Sequence, residues 1–168
     1  MYIQYLINKH RNSGLIIDTN LMILYLVGKY NPDQIKSFKR TQKYTLDDFK
    51  LLKQLIKFFK TLLTTPNILT EVSNLTSSLN EQTKGKFFIS FKTLIGSLKE
   101  EYINSIIASE GKIFSDFGLS DAAIYELANE NYLVLTDDLP LYHLLSGIGV
   151  SVISFNHIRS QQWLIKSF

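Results

Sequence analysis

The 168-residue sequence predicts an α/β fold, a three-layer α/β/α arrangement around a central, mostly parallel sheet of four to five strands. Three observations predict it. Short apolar runs of strand length recur along the chain, helical patterns lie between them, and 45% of the residues are hydrophobic, enough for one domain to bury a core. The runs are Leu15 to Ile17, Thr61 to Thr64, Tyr132 to Leu135 and Val150 to Ile153, each bounded by polar or turn residues. Strands that alternate with helices favour a parallel sheet, because each return crossing needs a connection of helix length.

The helices follow from their caps and stripes. In "TLDDFKLLKQLIKFFK" Thr45 can cap the start with Asp48 three residues on, and Phe49, Leu52, Ile56 and Phe59 form an apolar stripe. In "TTPNILTEVSNL" Pro66 suits a first helical position, Thr65 a cap, and Ile68, Val72 and Leu75 an inner face. "GLSDAAIYELANE" follows with Ser120 as its expected cap, and "LPLYHLLSG" is a short helix closed by Gly147. Leu79 to Ser109 reads as mainly helical, while Gly28 to Thr45 reads as a long irregular connection. The expected organisation is a single domain over 1–168, with an N-terminal extension at 1–13, either an added strand or an amphipathic arm, and a basic inserted loop at 29–45.

Composition narrows the function classes. The absence of cysteine excludes a disulfide framework and a thiolate metal site, and makes a reducing, cytoplasmic setting the expectation. Lys9 and Arg11 interrupt the N-terminus too soon for a signal-peptide core, and no uncharged apolar stretch is long enough to span a bilayer, so no membrane partner is expected. The net charge of +3 is unevenly spread. Lys29, Lys36, Lys39, Arg40, Lys43, Lys50, Lys53, Lys57 and Lys60 stand against Asp33, Asp47 and Asp48 in the first half, whereas Lys112 is the one base between Glu100 and Asp138. Two solvated helix faces would explain this, and so would a cationic rim beside an acidic pocket.

The acids themselves fall at particular places. Asp18 interrupts "GLIIDTN" at the end of the first apolar run, and Asp137 and Asp138 end the third, so these belong to the carboxyl edge of a parallel sheet, where ligands are normally bound. Glu71 sits beside the inward stripe of its helix, three residues after Ile68 and four before Leu75. Asp121 begins the helix that leads into the third run; an antiparallel helix is expected to raise its C-terminal end to the carboxyl edge, so coarse topology does not bring Asp121 there. Taken singly, Asp18, Asp121 and Asp138 read as helix caps, and Glu71 as a glutamate whose stem reaches solvent. Taken together, carboxylates that converge without matching lysines repel one another unless a hard cation such as Mg²⁺ or Mn²⁺ joins them.

"IIDTN" at Ile16 to Asn20, "TEVSN" at Thr70 to Asn74, "LSDAAI" at Leu119 to Ile124 and "VLTDD" at Val134 to Asp138 resemble, in order and interval, the motifs of the PIN domains, Mg²⁺- or Mn²⁺-dependent ribonucleases related to flap endonucleases. The resemblance spans most of the chain. It implies a PIN-like three-layer fold and an acidic, metal-binding and catalytic set of Asp18, Glu71, Asp121 and Asp138, with Asp137 a substitute for the last. It also implies that Thr136 orients the terminal loop, that Thr19 and Asn20 flank the first ligand, and that Asp121 joins the others. The activity implied is an endoribonuclease hydrolysing phosphodiester bonds to 5′-phosphate and 3′-hydroxyl ends. Its partners would be RNA, a homodimeric second copy and, if the chain is the toxin of a toxin–antitoxin pair, an antitoxin. Lys36, Lys39, Arg40 and Lys43 become candidate phosphate contacts, and Tyr30, Phe38 and Tyr44 candidate stacking platforms for unpaired bases. The chain departs from compact toxin-type members by extra material at Asn31 to Thr45 and Leu79 to Ser109, which bears on toxin identity more than on chemistry.

Other phosphate chemistries fit less well. A haloacid-dehalogenase-type phosphatase wants an Asp where Asn20 stands, and a receiver domain wants a lysine that "SVISFNHIRS" lacks. His10, His143 and His157 are scattered without zinc-site spacing, and no Gly-x-Ser-x-Gly elbow is present. The alternative of a different class is a non-catalytic PIN-like module that binds RNA or protein.

Overall fold

The computed structural model describes residues 2–78, 81–129 and 131–160, the side chains of 81–83 aside. Five strands, β1 (Leu15–Ile17), β2 (Leu62–Thr64), β3 (Lys99–Glu100), β4 (Leu133–Thr136) and β5 (Val152–Ser154), form one sheet in the order β3-β2-β1-β4-β5. Every pairing is parallel. Helices flank the sheet, giving the three-layer α/β/α architecture that alternating strands and helices require. β1 is central because all three of its residues are apolar and buried, leaving no polar face to offer solvent. Leu15 is in register with Leu62 on one side and Leu133 on the other.

Helix α1 (Tyr2–His10) precedes the sheet, and α2 (Thr19–Tyr30), α3 (Gln34–Ser37) and α4 (Leu46–Lys57) connect β1 to β2. Next come α5 (Pro66–Thr76) and α6 (Glu81–Ile95), then, after β3, α7 (Ser105–Glu110), α8 (Lys112–Phe117) and α9 (Leu119–Ala128). Helix α10 (Leu139–Gly147) joins β4 to β5, and α11 (Phe155–Ser160) follows. Successive strand residues point to opposite faces. Leu15, Leu133, Leu135 and Ile153 accordingly share a face with Ile7 of α1, Leu55 of α4, Phe59 and Ile158 of α11. Helix α2 is apolar on nearly every side and packs against α4, α5 and α6. The crossing with α4 is close because residue 28 is glycine: a Cβ there would lie 2.3 Å from the ring of Phe49.

The caps form as expected at three helices. Thr45 and Asp48 close a capping box on α4, Thr65 accepts from Ile68 N at the start of α5, and Asp138 caps α10. Three features differ from the sequence expectations, and one open alternative is resolved. Ser120 is not the cap of α9; that helix begins two residues earlier, at Leu119 after Gly118, whose φ of +88° ends α8 and turns the chain. Leu79 to Ser109 is mainly helical as expected, but β3 interrupts it; residues 79 and 80 lie outside the described ones. Of the two alternatives for the N-terminus, the structure has the amphipathic helix, with Leu6 and Ile7 in the main core. The segment 28–45 is not irregular throughout: α2 runs to Tyr30, α3 follows, and Ile35, Phe38 and Tyr44 are buried. No described helix is long and apolar enough to cross a membrane.

Candidate active site

The chain moves outward from β1 to β2 to β3, then returns to place β4 on the other side of β1. The carboxyl ends of β1 and β4 therefore flank the point where the winding reverses, and such a point opens the crevice in which doubly wound sheets bind ligands. Asp18 follows β1 there, and Asp137 and Asp138 follow β4.

Asp18 is buried and each of its carboxylate oxygens has partners. Oδ1 accepts from Leu21 N at 2.8 Å, capping α2, while Oδ2 accepts from Thr136 Oγ1 at 2.5 Å and Asp137 N at 2.9 Å. Burial, followed by the charge of Asp137, holds its pKa above the ordinary carboxylate range, against the pull of these hydrogen bonds. Thr136 thus ties the two strand ends together, and its Oγ1 also accepts from Asp138 N at 2.9 Å.

Asp137 turns away from Asp138 and into a different set of contacts. Its Oδ2 accepts from Lys43 Nζ and from Tyr44 OH, the latter at 2.5 Å, and its Oδ1 accepts from Asn20 Nδ2 at 3.3 Å. The main-chain oxygen of Asp137 takes a further hydrogen bond from Asn156 Nδ2 at 2.8 Å. The two neighbouring acids thus have separate surroundings, Asp137 against Lys43, Tyr44 and Asn20 and Asp138 at the start of α10. Tyr44 is fully buried and its hydroxyl pKa is pushed up by burial and by Asp137, while Phe38 is buried as well. Neither ring is open to a nucleic-acid base, which corrects that expectation. Lys39, Arg40 and Lys36 are exposed, Lys36 donating to Gln42 O at 3.3 Å.

Glu71 and Asp121 complete the group. Thr19, next to Asp18, donates from Oγ1 to Glu71 Oε2 at 2.8 Å, which draws α5 to the end of β1. Asp121 lies in the first turn of α9, half-buried, with no hydrogen bond to any described residue. Burial first, then the charges of Glu71 and Asp138, push its pKa up to about 7. The direction assumed from the sequence is reversed: a helix leading into a strand descends from the carboxyl edge, so its N-terminus is the end that stands there. Topology alone brings Asp121 to Glu71 and Asp138. Of the histidines, His10 is buried with Nδ1 at 3.0 Å from Asn131 O, and His143 and His157 are exposed beside Tyr142, away from the acids.

The donor set is all oxygen, and among the described residues four of its acids have no paired base and one of them, Asp121, has no hydrogen-bond partner. That chemistry fits a hard divalent cation held by Asp18, Glu71, Asp121 and Asp138. Among the described residues, no three acidic or imidazole groups are arranged around a single ion position.

Two residues that carry this site were not found by sequence reasoning. Arg159 holds Asp48 by two hydrogen bonds, Nε to Oδ1 at 2.8 Å and Nη2 to Oδ2 at 2.9 Å, and Asn156 holds the Asp137 backbone. No local signal marks either, because their partners come from segments remote in the chain. No family model matches the sequence, and no curated protein matches it significantly.

Proposed function

We propose that this chain is a divalent-metal-dependent endoribonuclease that hydrolyses phosphodiester bonds in RNA, as its resemblance to the PIN domains suggests. The observation that carries the reading is that Asp121 faces Glu71 and Asp138 with no paired base among the described residues, while Thr136 links Asp138 N to Asp18 and Thr19, next to Asp18, holds Glu71. Such an arrangement is costly for the folded chain alone and is relieved by a counter-cation. Asp18, Glu71, Asp121 and Asp138 would hold Mg²⁺ or Mn²⁺. The chemistry supplied by such an ion is an activated water and neutralisation of phosphate charge. The residues present do the positioning: Thr136 and Asp137 N hold the Asp18 carboxylate in one orientation, and Thr19 holds Glu71 beside it. Lys36, Lys39 and Arg40, exposed beside the site, would contact the RNA backbone. The same chemistry would serve a toxin restrained by a protein antitoxin, but the extra material at Asn31 to Thr45 and Leu79 to Ser109 sets the chain apart from compact toxin-type members.

The test is incubation with defined RNA oligomers in Mn²⁺ and in chelator, with the cut ends mapped. Cleavage to 5′-phosphate and 3′-hydroxyl ends in Mn²⁺, absent in chelator and in Asp138→Asn, is the expected result. Cleavage that persists in Asp138→Asn or in chelator excludes this mechanism. The second reading, a non-catalytic PIN-like module that binds RNA or protein, draws on the lack of any three described groups arranged around one ion position. It predicts RNA binding without any Mn²⁺-dependent products.

A further inference from the structure

Lys43 differs from the other cations of its segment. Its ammonium is not free on a loop but is fixed on the buried Asp137 carboxylate and lies 5.0 Å from the centre of the Tyr44 ring. The side chain is 53% exposed while that of Asp137 is 3% exposed, so the inner side of the ammonium is held and the outer side is open. A lysine has three N–H donors, and the contact with Asp137 uses one, leaving others open to solvent at the carboxyl edge of the sheet.

What puts the lysine there is a second layer of contacts. Arg159 forks onto Asp48, whose side chain is 4% exposed and which also accepts from Thr45 N at 2.7 Å. The same guanidinium donates from Nη1 to Asn156 Oδ1 at 3.3 Å and from Nη2 to the backbone oxygen of Lys43 at 3.5 Å, and lies 5.6 Å from the Tyr44 ring centre. Asn156 in turn donates to Asp137 O. Arg159 therefore grips both sides of the Lys43–Asp137 contact: the main chain that carries the lysine and the side chain that steadies the aspartate. A planar fork can do this and an ammonium cannot.

We propose that Lys43 is a phosphate-binding residue of the site, fixed at the mouth of the acidic crevice, and that Arg159 is its positioning residue. The inference rests on the reading of a phosphodiester substrate, but not on its cleavage. A fixed cation beside uncompensated acids gives an anionic backbone one point of attachment from which it can lie across the carboxylates without being repelled as a whole. Among the described residues Lys36, Lys39 and Arg40 have no such anchoring on buried acids, and they would add attraction without register.

The test measures binding of a short single-stranded RNA oligomer in Ca²⁺ and in EDTA, as a function of salt. Lys43→Ala is expected to weaken binding about tenfold and to lower the salt slope by about 0.7, the value of one phosphate contact on a single strand; Lys43→Arg restores both. Arg159→Lys, which keeps the charge and loses the fork, is expected to reproduce the slope change. Combined with Lys43→Ala it should cause no further loss, because it acts through that residue. Asn156→Ala loosens the same grip without touching a charge and serves if Arg159→Lys does not fold. A wild-type slope in Lys43→Ala, additive losses in the double variant, or no binding by the wild-type chain would overturn the proposal. Binding that depends on Lys43 without cleavage in Mn²⁺ would retain it and remove the nuclease reading; cleavage with a slope indifferent to Lys43 would do the reverse.

Discussion

The acids at the carboxyl edge fall into two halves that are treated oppositely. Around Asp18 and Asp137 each carboxylate oxygen is answered: by Leu21 N, Thr136 and Asp137 N on the first, and by Lys43, Tyr44 and Asn20 on the second. Around Asp121 little is answered. Glu71 has Thr19 and Asp138 has Leu141 N, while Asp121 has no hydrogen bond to any described residue and faces both other charges. The difference teaches that one half holds the sheet edge in shape, whereas the other leaves Asp121 without a hydrogen-bond partner among the described residues.

The comparison can be broken most directly by removing one acid from each half. Asp137→Ala leaves the buried Tyr44 hydroxyl, Asn20 and the Lys43 ammonium without their partner, and is expected to cost about 3 kcal/mol in urea denaturation with chelator present. Asp121→Asn removes a repelled charge and should instead stabilise the chain by about 1–2 kcal/mol at pH 8, less than the full shift implies because the group is half-open to solvent. Equal losses at both positions would show that the halves are alike.

The same contrast has a pH signature. A carboxyl with a pKa of about 7 when folded, against an ordinary 3.8, is protonated in both states at low pH. Between about 4 and 7 the folded chain keeps a proton the unfolded chain has released, so stability falls as pH rises and levels off above about 7. Asp121→Asn should lessen that fall when denaturation is followed across the range in chelator, leaving the part that the raised pKa of Asp18 contributes. Smaller effects sharpen the picture. Thr19→Val removes the hydrogen bond that holds Glu71 and is expected to cost about 0.5–1 kcal/mol in thermal melting. Asp138→Asn should change stability by less than about 0.5 kcal/mol, since asparagine caps a helix as well as aspartate does, yet abolish cleavage of RNA oligomers.

Much of this was legible in the sequence for local reasons. β1, β2, β4 and β5 are apolar runs of the right length, and Thr45, Thr65 and Asp138 are caps whose chemistry is written in their neighbours. β3 was not legible, because Lys99 and Glu100 are an exposed edge pair without any apolar pattern. Nor was the start of α9, where the turn at Gly118 outweighs the cap preference of Ser120. The hydrogen bonds of Lys43 to Asp137 and Arg159 to Asp48 span 94 and 111 residues, so only the strand order brings them together. Asp121 was within reach of topology, and was missed by reversing the direction of a helix that enters a strand.

The central claim is that the open half, with Asp18, accepts a divalent cation. Titration calorimetry of the chelator-treated chain with Mn²⁺ tests it without requiring a substrate. A saturable heat in the wild-type chain that is lost in Asp121→Asn and kept in Lys43→Ala is the predicted result. No saturable heat, or a heat that Asp121→Asn leaves unchanged, would contradict it.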